Sequence, residues 1–368
     1  MNITDQSFKN SIVSKARELG FFACGFAKYE ALEAESEKLR KWLDEGKQAD
    51  MAWIERGFEK RKDIRNIMPE AKSVISLAFN YYTPFEHDES KPKISRYAWG
   101  KDYHKILKKK LKELCEVIVL TSPPTPLLKG EGSNTSEILA ESKSLNNISL
   151  PAPELKVKER ILLKSYVDDG PVMDKVWAQK SGIGWMGKHT NIINPDYGSW
   201  FFLSEIITNI DFGTYDTPIE DMCGSCTLCI SACPTRAIES EYVVDANKCI
   251  SYQTIENRGD IPPEINLDGW IFGCDVCQDV CPYNSPKYNH VTEERGFWPL
   301  QEISKILKDE RNVEELKATS PNPLTEKPIQ GLTKEGTLEL TEEQFAKTFA
   351  DSPVKRTKYK GWKRNLAR

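Results

Sequence analysis

No stretch of the 368 residues approaches the run of about 18 apolar side chains that a membrane-spanning helix needs. The opening MNITDQSFKNSIVSKAREL also lacks the apolar core of an export signal. A cytoplasmic location with no membrane partner is therefore expected. Excess positive charge is missing as well: the formal net charge of -4 excludes a protein that coats nucleic acid by overall basicity, though not a local basic patch. Cysteine is scarce over most of the chain, with only Cys24 and Cys115 outside residues 223–281. Hydrophobic residues at 39% and charged residues at 29% supply a core and solubility, which argues against wholesale disorder. The length suits about two domains, or one large domain carrying a small one.

The first 120 residues alternate helical and extended patterns. Phe8, Ile12, Val13, Ala16 and Leu19 recur at helical spacing, GFFACGFA reads as a short buried strand, residues 30–45 read as helix, and SVISLAFNYY (73–82) as strand. Residues 104–118 predict an amphipathic helix, with Leu107, Leu111, Leu114 and Ile118 on one side and Lys105, Lys108, Lys109 and Lys112 mostly on the other. That lysine face is either a solvated surface or a nucleic-acid patch. Residues 121–156 are rich in Ser, Pro and Asn without a sustained period and read as a disordered insertion. RILLKSYVD then predicts a strand, Val172 to Ser181 a helix, and NIINP and SWFFLSEIITNI further extended segments. These mixed elements suggest an α/β or α+β layer architecture.

Cys223-x2-Cys226-x2-Cys229-x3-Cys233-Pro234 has the spacing of a bacterial ferredoxin loop, in which three thiolates reach one iron-sulfur cube and the fourth reaches another. Cys274-x2-Cys277-x3-Cys281-Pro282 supplies most of a second motif. Position 271, where the repeat would begin, is Ile, and the unspent cysteine nearby is Cys249. One [4Fe-4S] cluster is therefore expected on Cys223, Cys226, Cys229 and Cys281, and the other on Cys233, Cys249, Cys274 and Cys277. Structural zinc is the rival, but four cysteines within eleven positions crowd the separated pairs that tetrahedral zinc uses. A ferredoxin alone needs about 60 such residues, so the preceding part should hold what receives the electrons.

Three further features leave alternatives open. Gly182-Ile-Gly184-Trp-Met-Gly187 matches the dinucleotide fingerprint, yet a helical stretch precedes it and an extended one follows; a helix C-cap at Gly182 and a tight turn fit better. Asp168, at the end of RILLKSYVD, is either a helix cap or a carboxyl projecting into a cleft as a general acid. VKRTKYKGWKRNLAR carries seven cations, with Tyr359 and Trp362 interleaved and no acid, and is either a solubilising tail or a phosphate-tracking one.

WIERGFEKRKDIR (53–65), ISRYAWGKDYHKIL (94–107), VDDGPVMDKVWAQKSGIGWMGKHT (167–190), GSWFFLSEIITNI (198–210), PIEDMCGSCTLCISACPTRAI (218–238), CISYQTIENRGDIP (249–262), GCDVCQDVCPYN (273–284) and FADSPVKRTKYKGWKRN together resemble the epoxyqueuosine reductases, cobalamin-dependent iron-sulfur enzymes that complete queuosine in tRNA. The resemblance implies an α+β protein. A cobalamin-binding α/β domain like that of reductive dehalogenases and nitroreductases (1–212) is fused to a ferredoxin-type double-cluster domain (213–295). A C-terminal segment with a basic tRNA-binding tail (296–368) follows, in the compact form without helical repeats. The family's catalytic acid matches Asp168. Asp169 stands where a small hydroxyl residue is usual, and His189 where asparagine is usual. Cobalamin is expected against Tyr97, Tyr103, Asp168, Ile192, Ile193, Asn194, Leu203, Ser251, Cys274 and Asp275.

Cobalamin proteins that place a histidine on cobalt usually carry D-x-H-x-x-G; the nearest string here, Asp102-Tyr-His104-Lys-Ile-Leu107, lacks the glycine, so base-off cobalamin without a histidine ligand is expected. An external low-potential donor of flavodoxin or ferredoxin type would feed electrons through the clusters to cobalamin. Asp168 would protonate the epoxide oxygen. The partner would be an anticodon stem-loop carrying epoxyqueuosine, and the enzyme a monomer. The rivals are a soluble cobalamin-dependent reductive dehalogenase, a plain electron-transfer module and a zinc-stabilised nucleic-acid binder.

Overall fold

The fold was analysed in a computed structural model, which describes residues 6–122, 160–304, 307–308 and 340–368. A four-stranded sheet organises the first two-thirds of the chain, in the order Ala23–Lys28, Ser73–Asn80, Phe201–Thr208, Leu163–Tyr166. Every pairing in it is antiparallel, so the layer is α+β. Its two central strands are buried along nearly their whole length, as expected for strands covered on both faces.

One face carries Ile75, Leu77, Phe79, Phe202 and Ile206, packed under the helices Gln6–Glu18 and Tyr103–Thr121. The apolar stripe read from the sequence is the one used: Ile12, Ala16, Leu107, Leu111, Leu114 and Ile118 are all fully buried. The other face places Val74 and Ile207 against Trp177, and Ala78 against Ala178, both from the short helix Asp174–Lys180. Gly25 permits this approach, because a Cβ there would lie 2.0 Å from the Ser181 carbonyl oxygen. The helix ends as a C-cap: Gly182 has φ +69, and the Ile183 amide donates to the Ala178 carbonyl at 3.0 Å. The glycine motif is thus a turn, followed by a ribbon pairing Trp185–Met186 with Ile192–Ile193.

The cysteine-rich segment is laced into this layer. Trp270–Phe272 pairs in parallel with Lys93–Ile94, and the Trp42 indole donates to the Val244 carbonyl at 2.7 Å. The last residues fold too. Helix Lys358–Leu366 buries Trp362 against Phe345, Phe349, Ile255 and Phe272, and Asn365 donates to the carbonyls of Thr254 at 2.9 Å and Ile271 at 2.8 Å. The segment read as either a solubilising or a phosphate-tracking tail is folded as a structural clamp, held because its aromatic residues complete a core. Apart from Thr121 and Ser122, the expected insertion at 121–156 lies outside the described residues.

Candidate active site

The eight clustered cysteines fall into two neighbourhoods. Burial raises the Cys281 thiol to about 11, and its thiol neighbours are Cys223, Cys229 and Cys226. Cys274, also raised by burial, has Cys249 and Cys233 as neighbours, and Cys277 has Cys274 and Cys249, with Cys229 of the first group as a weaker charged neighbour. The loop after Cys229 sends Cys233 to the second group, and the 274–281 motif returns Cys281 to the first. Helix Leu228–Ala232 packs on helix Val276–Asp279, which sets the groups side by side. The Trp185 indole approaches the Cys223 sulfur at 3.5 Å and the Ala237 amide the Cys233 sulfur at 3.2 Å, donors of the kind that tune cluster potentials.

All four cysteines of the second group line a partly open cavity of about 420 Å³, within the usual range of about 300–1,000 Å³ for ligand sites. Tyr81, Tyr97, Tyr103, Phe201 and Phe202 give it an aromatic wall, with Tyr103 stacked on Phe202 at 4.2 Å. Asp168 and Ser251 also face it.

Asp168 follows strand Leu163–Tyr166 in a left-handed conformation, φ +51, uncommon outside glycine but one that aspartate tolerates better than most side chains. The buried Tyr103 hydroxyl donates to its Oδ2 at 2.9 Å. Its role as a helix cap is ruled out: the next helix starts at Asp174 after Met173, with no side-chain cap. Asp169 points elsewhere, accepting from the Val167 amide at 3.0 Å and pairing with Lys108. Behind the loop lies a buried pair of acids, Asp174 and Glu205. Glu205 is 0% exposed and neither of its oxygens meets a donor. Burial, with Asp174 beside it, pushes Glu205 well above the ordinary carboxyl range, which favours its protonated form.

Among the expected cofactor contacts, Tyr97, Tyr103, Asp168, Ser251 and Cys274 lie on the cavity wall. Ile192 and Ile193 are buried in the ribbon, and Asn194 braces its turn by donating to the Ile183 carbonyl at 2.6 Å. Leu203 lies on a central strand, and Asp275 accepts from the Ser95 hydroxyl and from the Arg96 amide at 2.7 Å. These five are not among the cavity's lining residues. The ribbon instead presents His189, Thr190 and Asn191. The glycine-rich GKH stretch pointed toward this turn; which of its side chains face inward depends on ribbon geometry that spacing does not reveal. His104 stays off the wall, bonded to Asp102 at 2.9 Å and stacked on Tyr103 at 4.1 Å.

Many cations read as phosphate contacts are already paired. Lys105 pairs with Asp351 at 2.7 Å, and Lys108 with Asp169. Lys355 reaches Asp102 at 2.7 Å and Arg356 reaches Glu256 at 2.9 Å. Arg364 donates to the carbonyls of Gln253 at 2.6 Å and Asn257 at 3.0 Å, and Arg368 to that of Pro262 at 2.9 Å. Lys358, Lys360 and Lys363 remain exposed.

Two cysteine groups side by side, one opening into a cavity that also carries a restrained carboxyl, fit the class of iron-sulfur oxidoreductases. Residues 222–284 match the 4Fe-4S double cluster binding domain, and residues 61–129 match the family described as epoxyqueuosine reductase QueG, DUF1730. The epoxyqueuosine reductase of Cellulophaga algicola is 40% identical over 99% of this chain and 98% of its own length; that of Leadbetterella byssophila is 39% identical over 98% of each. The chain belongs to the epoxyqueuosine reductase family. A solved selenomethionine-labelled epoxyqueuosine reductase superposes with a TM-score of 0.73 at 27% identity, covering 98% of this chain and 80% of that one. An epoxyqueuosine reductase solved with an epoxyqueuosine-modified tRNA-Tyr stem-loop gives 0.70 at 26% identity, with the same coverage.

Proposed function

We propose that this enzyme reduces epoxyqueuosine to queuosine in the anticodon loop of tRNA, in the cytoplasm and as a monomer, with Asp168 as the proton donor. The observation that carries the reading is the meeting of Asp168 and the second cysteine group on one cavity wall. Cys223, Cys226, Cys229 and Cys281 would hold one [4Fe-4S] cluster and Cys233, Cys249, Cys274 and Cys277 the other, the latter set lining the cavity; the clusters would supply one-electron transfer from an external low-potential donor of flavodoxin or ferredoxin type. The expected domain limits, 1–212, 213–295 and 296–368, follow this division of labour.

The cavity suits cobalamin. Its aromatic wall offers a broad apolar surface, and the buried Nε2 of His189 on that wall has no hydrogen-bond partner. Tyr97, Tyr103, Ser251 and Cys274 would hold the cofactor directly, with Ile192, Ile193, Asn194, Leu203 and Asp275 in the segments behind. Cobalamin supplies a reducible cobalt centre. His104 is tied to Asp102, and His189 uses its Nδ1 lone pair to accept from the Asn191 amide at 3.1 Å. Conversion of the epoxide to an alkene consumes two electrons and two protons and releases water. Asp168 delivers a proton to the epoxide oxygen, while Tyr103 fixes its direction. The wobble base is already unpaired, so presenting it costs little.

The test is an oxygen-free assay of cobalamin-loaded enzyme with tRNA bearing epoxyqueuosine, scoring queuosine in digests. Wild type should convert the tRNA, and Asp168→Asn should lose about 10²- to 10⁴-fold in rate with its clusters intact. Asp168→Asn turning over at the wild-type rate would reject the acid; no queuosine from wild type would reject the substrate.

A further inference from the structure

Lys175, the second residue of helix Asp174–Lys180, has no carboxylate within ion-pairing distance among the described residues, although the lysines around the site are almost all paired. Its ammonium donates to the Asn191 side-chain oxygen at 2.9 Å. The side chain is reached by water, yet protein surrounds the amine closely enough that desolvation pulls its affinity for a proton below the ordinary lysine range. The charges that act on it are those of Asp168, Cys277, Asp174 and Cys249, which places it beside the acid and the second cysteine group.

Asn191 links this cation to the cavity. Its side-chain oxygen accepts from Lys175, and its backbone amide donates to His189 Nδ1. That bond puts the imidazole proton on Nε2, and burial together with the Lys175 charge holds the ring down at about 4, so it is a neutral donor at working pH. His189 is 4% exposed, and its Nε2 is buried without a partner. Among the described residues with such an orphaned side-chain atom, His189 alone also lines the cavity. Lys175 is a water-exposed cation with no carboxylate paired to it among the described residues, and the buried His189 N–H without an acceptor costs free energy. Both groups bond to Asn191, and both suit an anionic oxygen.

We infer that Lys175, Asn191 and His189 form an anion subsite at the edge of the cavity that takes a phosphodiester oxygen, with Lys175 as the charge and His189 as the directional donor. Phosphodiesters reach this place from two sources: the nucleotide loop of cobalamin, which rests on the cofactor reading above, and the RNA backbone flanking the modified base.

Substituting Lys175→Gln removes the charge from an exposed position, and Lys175→Arg restores it. In the cofactor arm, binding of cobalamin and of cobinamide, which lacks the nucleotide loop, is measured on oxygen-free, cluster-loaded chain. A cofactor phosphodiester predicts that K175Q weakens cobalamin by about 10-fold or more, leaves cobinamide unchanged, and is rescued by K175R. In the RNA arm, affinity for an anticodon stem-loop is measured across salt concentrations. An RNA phosphodiester predicts a slope shallower by about 0.7–0.9 in K175Q, also rescued by K175R. Either pattern supports the subsite, and no change in both arms overturns it. Failure of wild type to take up cobalamin would defeat the cofactor reading, while the RNA arm would still decide the subsite.

Discussion

Only three of the seven cations in the C-terminal helix region are free for RNA, and this sets a number on how tRNA affinity responds to salt. Lys355, Arg356, Arg364 and Arg368 are held by Asp102, by Glu256 and by backbone carbonyls. Lys358, Lys360 and Lys363 are exposed, with no ion pair among the described residues. If each meets one phosphate, each contributes about 0.7 to 0.9 to the slope of log affinity against log salt. Replacing all three with glutamine should flatten that slope by about 2 to 3. Over a fourfold salt range this removes roughly 20- to 40-fold of the affinity change. The assay is equilibrium binding of an anticodon stem-loop at several salt concentrations, with Arg364→Gln as the control. Its guanidinium is spent on carbonyls, so that variant should lower thermal stability and leave the slope alone. An unchanged slope in the triple variant, or a loss in the control as large as in the triple, would refute the assignment of phosphate contacts.

Two stability predictions follow from the buried groups. Burial raises Glu205 above its ordinary value of 4.5 in the folded state; the folded state therefore binds more protons above that value, and stability falls as pH rises from about 4.5 through the raised folded value. Glu205→Gln should make that decline shallower, by at most about 1.4 kcal/mol per pH unit, seen by denaturant titration from about pH 4.5 upward; parallel pH curves for both proteins would contradict it. Trp362→Ala should cost about 3–5 kcal/mol, because the ring is 1% exposed within the core that joins the C-terminal helix to Phe272; a loss below about 1 kcal/mol would show that the helix is not a clamp.

Much of the scaffold was legible because local periodicity is a direct consequence of burial. The stripe from Leu107 to Ile118 and the apolar strands 73–80 and 201–208 occur where the patterns put them. The crossing of Cys233 and Cys281 between groups was read from ferredoxin spacing; Cys281 has Cys223, Cys229 and Cys226 as its charged thiol neighbours, and Cys274 has Cys249 and Cys233. The partners of charged side chains were not legible. Lys355 meets Asp102 across 253 positions, and no local pattern encodes such a pairing, so a run of cations read as a solubilising or phosphate-tracking tail is folded and partly spent on pairs within the protein. Cavity-facing residues were missed for a similar reason. Whether His189 and Asn191 or Ile192 and Asn194 face inward depends on how one tight ribbon is tilted. Asp168 was found because its neighbours resemble a known motif, while the left-handed backbone and the Tyr103 hydrogen bond that restrain it emerge only in three dimensions.

The most direct test of the central claim is one oxygen-free preparation, reconstituted and offered cobalamin, in which iron, sulfide, zinc and cobalt are counted per chain. Two cubes feeding a corrinoid cavity predict about eight irons, about eight sulfides and one cobalt, with negligible zinc. Zinc in place of iron, or a full iron-sulfur complement in a chain that takes up no cobalamin, would contradict it.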